Sequence, residues 1–273
     1  MIKITCERSE RELRSQLRGL IFQRGRTQCV QCGSYRVRTL ERRYWCRRCR
    51  KKFSLTSGTW LRSMKIPLKT FFILLDSWIN EVPLKEAMRR SGTSYVTVHS
   101  WYKKFREHIP KTLAFKPHVA VQVDEAYFGR FKRQANYYHG FRKYKVVNKV
   151  GVVGVACPTT GQLATRIIQG TPGVFVKAFI RELVPTNVHV YADGSYLYTR
   201  LSETHFLTQR THDQGFHFAY YIESCWSWMK RLLFKMYHHF TRTYATQYIA
   251  ELTWRFNIRN SSKNPFSLLR NSF

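Results

Sequence analysis

Apolar residues recur at helical spacing in four segments of the first 110 residues. The predicted helices are residues 9–23, 67–80, 83–90 and 95–108. The first begins at Ser9 with Glu12 three residues on, a spacing that predicts a capping box. The last two are separated by a short turn that contains Gly92, and this order of short helix, turn and basic helix predicts a helix-turn-helix unit. Its last helix has three predicted core residues, Val96, Trp101 and Phe105.

Beyond residue 118 the pattern changes to the alternation and short apolar runs that are typical of strands. Strands are predicted at residues 118–124, 145–157, 162–169 and 187–193, and helices at residues 174–183, 220–235 and 243–259. Three strands, a helix, a strand and further helices in this order predict an α/β fold, in which a mixed sheet carries helices on its faces.

Four cysteines lie between the first two helical segments as two close pairs, Cys29 with Cys32 and Cys46 with Cys49. Short strands are predicted around them at residues 34–38, 42–45 and 51–55. Each pair has a two-residue gap, and the distance between the pairs suits one strand hairpin. Four thiolates at this spacing surround one Zn²⁺ and leave it no open position, which predicts a structural zinc ribbon without a catalytic role.

These patterns divide the chain into four predicted regions. They are an N-terminal helix (1–26), a zinc ribbon (27–60), a helix-turn-helix DNA-binding domain (61–112) and an α/β domain (113–273). Pro110 and Pro117 bracket a predicted linker near the last boundary.

The chain of 273 residues carries a formal net charge of +31. A surplus of this size predicts a polyanionic partner, with nucleic acid as the first choice and an anionic membrane surface as the second. No apolar stretch of about 18 residues is present, so no membrane-spanning helix is expected. The N-terminus lacks the apolar core of a signal peptide, which predicts an intracellular, reducing setting where cysteine pairs bind metal rather than form disulfides.

Charge density favours the first 117 residues as the part that docks on duplex DNA, because 27 Lys and Arg lie there against eight acids. The predicted DNA contacts near the second cysteine pair are Arg47, Arg48 and Lys51. Those on the last helix of the helix-turn-helix unit are Thr97, Ser100, Lys103, Lys104 and Arg106, and Arg231 is a further contact in the α/β domain.

Acids are rare in the second part of the chain, where residues 118–273 contain eight. Asp124 and Asp193 each end an apolar strand, and Glu223 lies on a predicted helix. If the two strands are neighbours, the three carboxylates converge at one edge of the sheet and hold two Mg²⁺ or Mn²⁺ ions for phosphoryl transfer. Lys230 follows Glu223 by two helical turns, so both project from one helix face and the lysine can hold a phosphate.

A structural interpretation of the same residues stays open at this point. Aspartates at strand ends also cap turns, and a Glu223–Lys230 pair also suits a solvated helix surface. Glu125 is a rival ligand beside Asp124, but strand alternation sends it to the opposite face of the sheet. Asp213 lies in a polar loop and is predicted to be a turn residue.

Several segments resemble the zinc-ribbon DDE transposases of bacterial insertion sequences, in the group that also includes the eukaryotic Merlin elements. The matching segments are residues 29–49, 121–129, 191–194, 221–231 and 248–257. The resemblance implies an RNase H-like catalytic fold with Asp124, Asp193 and Glu223 as metal ligands and Lys230 as their companion. It also implies cleavage at terminal inverted repeats and joining of 3′-hydroxyl ends to target DNA, by a homodimer or a larger assembly.

The chain departs from the family pattern just before the third acid. Members often carry a His-Thr-Asn triplet there, and in some the asparagine is a ligand. Here residues 217–220 read His-Phe-Ala-Tyr, which leaves Glu223 as the third ligand.

Two other functions remain open from the sequence: a structure-selective nuclease of the same fold, and a zinc-containing DNA-binding regulator without enzymatic activity. As a transposase, the protein is expected in the cytoplasm with the nucleoid of a bacterium, or in the nucleus of a eukaryote.

Overall fold

The computed structural model describes residues 8–22, 26–41, 43–109, 115–129, 132–138, 141–147, 149–210 and 219–259, with the backbone alone at 132–138, 141–147 and 210. The described chain forms two compact units, one within Met1–Pro110 and the other within Lys111–Ser261. None of its described helices has the length and apolar character needed to cross a membrane.

The first unit contains four helices and a small sheet. Its elements are α1 (Glu10–Ile21), β1 (Val37–Leu40), β2 (Arg43–Cys46), β3 (Lys52–Ser54), α2 (Leu68–Ile79), α3 (Leu84–Ser91) and α4 (Tyr95–Glu107). β2 pairs antiparallel with both β1 and β3. The predicted capping box is confirmed, because the Glu12 N–H donates to Ser9 Oγ and the Ser9 N–H donates to the Glu12 carboxylate. Gly92, whose φ of 63° lies in the left-handed region, caps the end of α3, and Ser94 caps the start of α4.

The buried face of α4 differs in phase from the predicted one. Its buried apolar residues are Val98, Trp101, Tyr102 and Phe105, which follow the i, i+3, i+4, i+7 spacing of a single helical stripe. The prediction is confirmed for Trp101 and Phe105 but is wrong for Val96, which is 75% exposed. Val96 lies two residues before Val98, so it projects from the other side of the helix.

The second unit is built on a five-stranded mixed sheet. Its elements are β4 (Ala120–Phe128), β5 (Lys132–Tyr138), β6 (Phe141–Val147), β7 (Val150–Cys157), β8 (Gln162–Ile167), α5 (Pro172–Leu183), β9 (His189–Asp193), β10 (Leu207–Arg210), α6 (Tyr220–Tyr237) and α7 (Ala245–Ile258). The strand order is β10-β9-β4-β7-β8. β4, β7 and β8 form an antiparallel meander, and β9 and β10 continue the sheet in parallel on the other side of β4. This is the RNase H-like arrangement, so the expected α/β fold class is confirmed.

Alternation along β4 separates the two faces of the sheet. Val121 and Val123 belong to a buried cluster with Val176, Phe179 and Ile180 of α5. Gln122 and Asp124, which alternate with these valines, point the other way, toward α6. β5 and β6 pair antiparallel as a separate two-stranded sheet. The sequence patterns did not predict β5, and the strand predicted at residues 145–157 covers the end of β6 and all of β7.

Candidate active site and cysteine cluster

The four cysteines form a compact cluster beside the β1–β3 sheet, and we refer to this sheet with its cysteines as the cysteine module. Cys29 Sγ lies 3.6 Å from Cys49 Sγ, and Cys32 Sγ lies 3.6 Å from Cys46 Sγ. All four sulfur atoms lie within 4.8 Å of one another. Zn–S bonds of about 2.3 Å in a tetrahedral site separate the sulfurs by about 3.8 Å, so the cluster has the size and donor type that suit Zn²⁺.

Both cysteine pairs are built on the same backbone turn. The N–H of Gly33 donates to the carbonyl of Cys29, and the N–H of Arg50 donates to the carbonyl of Cys46, each at 2.9 Å. Gly33 (φ 67°) and Arg50 (φ 57°) both occupy the left-handed region. A side chain there costs about 1 kcal/mol, so the second turn is the more strained of the two.

Backbone donors favour the thiolate form of Cys46. The N–H of Cys49, and more weakly that of Arg48, lowers the pKa of Cys46 to about 6 against the opposing effect of burial. The thiolate is the form of cysteine that binds metals, so this turn prepares at least one ligand for a cation.

Asp124 and Asp193 lie side by side in the sheet of the second unit. β4 and β9 run parallel with Val123 opposite Ala192, and the two aspartates occupy the next position on each strand. Burial raises the pKa of Asp124, and the charge of Asp193 adds to that rise. Asp193 Oδ1 accepts a hydrogen bond from the N–H of Ser195 at 3.0 Å, which fixes the turn that leaves β9.

Helix α6 carries the third predicted ligand and begins directly above β4. Gln122 Oε1 accepts hydrogen bonds from the backbone N–H groups of Tyr221 and Ile222, both at 3.0 Å. These donors belong to the first turn of the helix and would otherwise lack a partner there. Glu223 is the next residue, so Gln122 ties the position of this carboxylate to the strand that carries Asp124.

A single face of α6 presents Glu223, Trp226 and Lys230. Their separations of three, four and seven residues place them one above another along the helix. The Trp226 indole N–H donates to Asp124 Oδ2 at 3.0 Å, which turns this face toward the carboxylate. The charge of Lys230 lowers the pKa of Asp124 against the larger effect of burial, and Lys230 Nζ lies 5.9 Å from the centre of the Phe128 ring.

Glu125 contacts a different element from Asp124, as strand alternation predicted. It accepts a hydrogen bond from the hydroxyl of Tyr198, which is buried in the short 3₁₀ helix after β9. Burial raises the pKa of Glu125 to about 7; the Tyr198 hydroxyl opposes this rise, and the charges of Asp124 and Asp193 add to it. The Glu125–Tyr198 contact therefore ties β4 to the segment that follows Asp193.

The acidic residues are less tightly gathered than the cysteines. Within the parts of the chain described here, only the cysteine cluster has three or more metal-ligating side chains whose ligand atoms all lie within 4.8 Å. Asp124 and Asp193 are neighbours, and Glu223 lies on the helix that packs on Asp124. We call this set, together with Lys230, the acidic edge. Carboxylate oxygens are the donors that Mg²⁺ and Mn²⁺ prefer, so the chemistry of the set suits these ions.

Sequence reasoning missed three residues that surround Asp124: Gln122, Gly154 and Trp226. A signal for Trp226 was present, since it lies between Glu223 and Lys230 on their shared helix face. Gly154 and Gln122 act through strand pairing and helix docking across long sequence distances, which no local spacing predicts.

The predicted DNA contacts differ in exposure. The side chains of Arg47, Arg48, Lys51, Ser100 and Arg231 are exposed, and those of Thr97, Lys103 and Lys104 are half-buried. The structure contradicts the prediction for Arg106, whose side chain is only 5% exposed. Arg106 follows Tyr102 by one helical turn, which places it beside the buried stripe of α4 rather than on the solvent face.

Two sequence expectations concern residues outside the described parts of the chain. Asp213, predicted to be a turn residue, is one of them. The other is His217, in the segment where family members carry the triplet.

Comparison with protein families identifies the second unit. The ISXO2-like transposase domain matches residues 119–257, slightly more than half of the chain. The chain belongs to the ISXO2-like transposase family. The matched segment of this transposase domain spans β4 to α7 and contains the whole acidic edge.

Other comparisons add less. The search among curated proteins found no significant match. Two solved structures are similar to the chain: the catalytic core domain of BIV integrase and a simian T-cell lymphotropic virus intasome in complex with the PP2A regulatory subunit B56 gamma. The first has 14% identity and a TM-score of 0.34 over 54% of this chain and 86% of its own. The second has 10% identity and a TM-score of 0.36 over 71% of each chain.

Proposed function

We propose that the protein is a DNA transposase that binds the terminal inverted repeats of its element, cleaves at the element ends and joins the 3′-hydroxyl ends to target DNA. The observation that carries this proposal is the pairing of Asp124 with Asp193 on adjacent strands, under the α6 face that presents Glu223 and Lys230. This arrangement lies within the segment matched by the transposase domain.

The acidic edge is proposed as the catalytic site. Asp124, Asp193 and Glu223 would hold the divalent ions, which supply an activated attacking oxygen and stabilise the leaving oxygen of the displaced phosphodiester. Lys230 is exposed on the same helix face, where its ammonium group can hold a phosphate of the bound strand. Lys230 Nζ lies 5.9 Å from the centre of the Phe128 ring, within the range of a cation–π contact.

DNA recognition is assigned to the first unit. We propose one structural Zn²⁺ bound by Cys29, Cys32, Cys46 and Cys49, and a helix-turn-helix formed by α3 and α4. The proposed DNA contacts are Arg47, Arg48, Lys51, Thr97, Ser100, Lys103 and Lys104, with Arg231 in the second unit. Arg106 is left out because it is buried. The net charge of +31 provides the phosphate attraction that such contacts need.

Substitution of the three acids tests the catalytic assignment. Asp124→Asn, Asp193→Asn and Glu223→Gln should each reduce cleavage by more than about 100-fold while binding to the element ends stays within about 2-fold of the parent protein. Glu203→Gln is the matched control, because Glu203 is an exposed acid of the same unit whose Oε1 lies 3.9 Å from Arg200 Nε. Retained cleavage in any of the three variants at ordinary Mg²⁺ concentrations contradicts the assignment.

The products distinguish the transposase from its two rivals. The protein is incubated with Mg²⁺, DNA that carries two element ends and a target plasmid. A transposase yields end-to-target joints, whereas a structure-selective nuclease of this fold yields cut but unjoined DNA. A zinc-containing regulator binds the ends with the same affinity with or without Mg²⁺ and with any of the three acids replaced. Because two ends must be held together, we also expect a homodimer or larger assembly on the DNA.

A further inference from the structure

The closest described partner of the Asp124 carboxylate outside its own strand is an indole. Trp226 is buried and donates its Nε1–H to Asp124 Oδ2 at 3.0 Å across 102 positions of sequence. Buried indole N–H groups need an acceptor, and here the acceptor is a carboxylate that is also a candidate metal ligand. The contact therefore calls for an explanation beyond core packing.

The neighbouring strand makes room for this indole. Gly154 of β7 lies directly opposite Asp124 in the antiparallel register. A Cβ atom on Gly154 would lie 2.5 Å from two carbon atoms of the Trp226 ring, closer than carbon atoms approach in proteins. The Phe128 ring closes another side, edge-on to the indole with 5.9 Å between the ring centres. Gly154 and Phe128 thus border the indole in the position from which its N–H reaches Asp124.

The hydrogen bond leaves Asp124 able to bind a cation. A carboxylate has about four lone-pair sites, and the Trp226 N–H and the backbone N–H of Glu125 are the donors that act on this one. A fixed donor on Oδ2 stops the carboxylate from rotating, so the remaining lone pairs keep one direction. Partners of this kind orient metal ligands in many proteins, and their loss lowers metal affinity by about 10- to 100-fold.

We propose that Trp226 is a positioning residue that orients Asp124 for a catalytic divalent cation, and that Gly154 is required because it admits the indole. The proposal rests on the proposed function, since it assigns Asp124 to the metal. It differs from that function in what it predicts: removal of one N–H, with every carboxylate retained, weakens the cation site.

The first test measures Mn²⁺ binding to the full-length protein by electron paramagnetic resonance. Trp226→Phe keeps an aromatic ring but loses the N–H, and should raise the Kd for Mn²⁺ by about 10-fold or more. Trp228→Phe is the matched control, because Trp228 lies on the same helix and packs against Phe256 instead. An unchanged Mn²⁺ affinity in Trp226→Phe overturns the proposal.

Substitution of Gly154, with Gly151 as its control, provides a second test in which Trp226 itself is unchanged. Gly154→Ala should displace the Trp226 ring and weaken Mn²⁺ binding in the same direction as Trp226→Phe. Gly151→Ala on the same strand should not, because its Cβ would meet side-chain atoms of Ile168 and Tyr127 at 3.4 and 3.5 Å, which are ordinary contacts. Equal Mn²⁺ affinity in both alanine variants contradicts the role given to Gly154.

The third readout needs no metal and no activity. In the ¹⁵N-labelled protein, the indole N–H resonance of Trp226 should shift on Asp124→Asn and stay in place on Glu203→Gln. This measurement decides the hydrogen bond even if Trp226→Phe fails to fold, and a resonance unmoved by Asp124→Asn overturns the proposal. If Trp226→Phe weakens Mn²⁺ binding but the parent protein yields no joined DNA products, the proposed function is overturned. The inference about Trp226 would then still stand.

Discussion

The cysteine module and the acidic edge bring together their proposed metal ligands in opposite ways. In the cysteine module all four ligands lie within residues 29–49, and two hairpin turns bring their sulfur atoms within 4.8 Å. In the acidic edge the proposed ligands come from two strands and a helix, and 99 positions separate Asp124 from Glu223 (223 − 124). The first site is formed by local turns and the second by tertiary packing.

Because of this difference, we expect folding and metal binding to be coupled in the cysteine module but independent of each other in the second unit. A three-stranded sheet of eleven paired residues in short strands has little apolar surface to bury, so we expect its folding and its metal binding to be one event. The sheet beneath the acidic edge has a continuous apolar cluster with α5, independent of any ion. The carboxylates can therefore change while the fold persists.

The largest expected effect comes from breaking the cysteine module. Cys46→Ser, or removal of metal by a strong chelator, should unfold β1–β3, because apparent zinc-binding energies of about 10–16 kcal/mol support modules of this kind. Hydrogen exchange should show lost protection in residues 37–54 and unchanged protection in residues 120–128. Cys157→Ala is the control, since Cys157 is a buried cysteine of the second unit and zinc content should stay at the wild-type value. An intact β1–β3 sheet in the metal-free Cys46→Ser protein would refute the coupling.

A buried ion pair provides the next test, this time of the packing that supports the acidic edge. Arg255 Nε donates to Glu251 Oε1 at 2.8 Å with both side chains buried, and the Tyr237 hydroxyl of α6 donates to the same carboxylate. Removing one partner of a buried pair leaves the other charge uncompensated and costs about 3–5 kcal/mol. Glu251→Gln should therefore lower the free energy of unfolding of the second unit by about that amount, measured by urea denaturation.

The exposed pair in the same unit serves as the control for this prediction. Arg166 Nη1 lies 2.7 Å from Glu182 Oε2, but both side chains are solvent-exposed. Exposed pairs contribute little because water screens them, so Glu182→Gln should leave the urea midpoint close to that of the parent protein. If Glu251→Gln also leaves it unchanged, α6 does not depend on the buried pair for its position. Neither variant should alter zinc content.

The parts of the fold that the sequence predicted correctly are those with local sequence signals. The capping box at Ser9, the helix spans and the cysteine spacing each depend on residues within one or two turns, and the structure confirms the helices within a few residues. Alternation in residues 118–124 placed Asp124 and Glu125 on different sides, as the structure also shows. The predictions for Val96 and Arg106 were wrong because the buried face of α4 was assigned partly to the wrong side of the helix. Several apolar residues of α4 fit more than one helical stripe, so the sequence does not fix this face.

Long-range pairing explains what the sequence did not predict. The expectation that the strands of Asp124 and Asp193 are neighbours is confirmed by the parallel register of β4 and β9. The other residues around Asp124 were not predicted. Gly154 lies beside Asp124 because β7 pairs antiparallel with β4, and Gln122 takes part because α6 docks on β4. Neither contact produces a local pattern in the sequence from which it could be predicted. The metal coordination itself stays a prediction, because the three carboxylates are not gathered within one coordination sphere.

The smallest of these effects concerns Gln122, which joins α6 to the sheet with a single side chain. Gln122→Met keeps the volume of this buried side chain but removes the acceptor for the N–H groups of Tyr221 and Ile222. Loss of such a cap should lower the free energy of unfolding of the second unit by about 1–2 kcal/mol. Urea denaturation measures this change, and Mn²⁺ titration of the same variant shows whether Glu223 keeps its position.

Gln122→Glu separates the hydrogen bonds from the rest of the contact. A carboxylate accepts from both N–H groups and favours the positive end of the helix dipole, so this variant should retain the stability that Gln122→Met loses. Its added negative charge near Asp124 should also strengthen Mn²⁺ binding rather than weaken it. If Gln122→Met matches the parent protein in both stability and Mn²⁺ affinity, the hydrogen bonds of Gln122 do not position α6. The apolar packing of α6 and the Trp226–Asp124 contact would then hold the helix, and the acidic edge would still differ from the cysteine module as a site formed by tertiary packing.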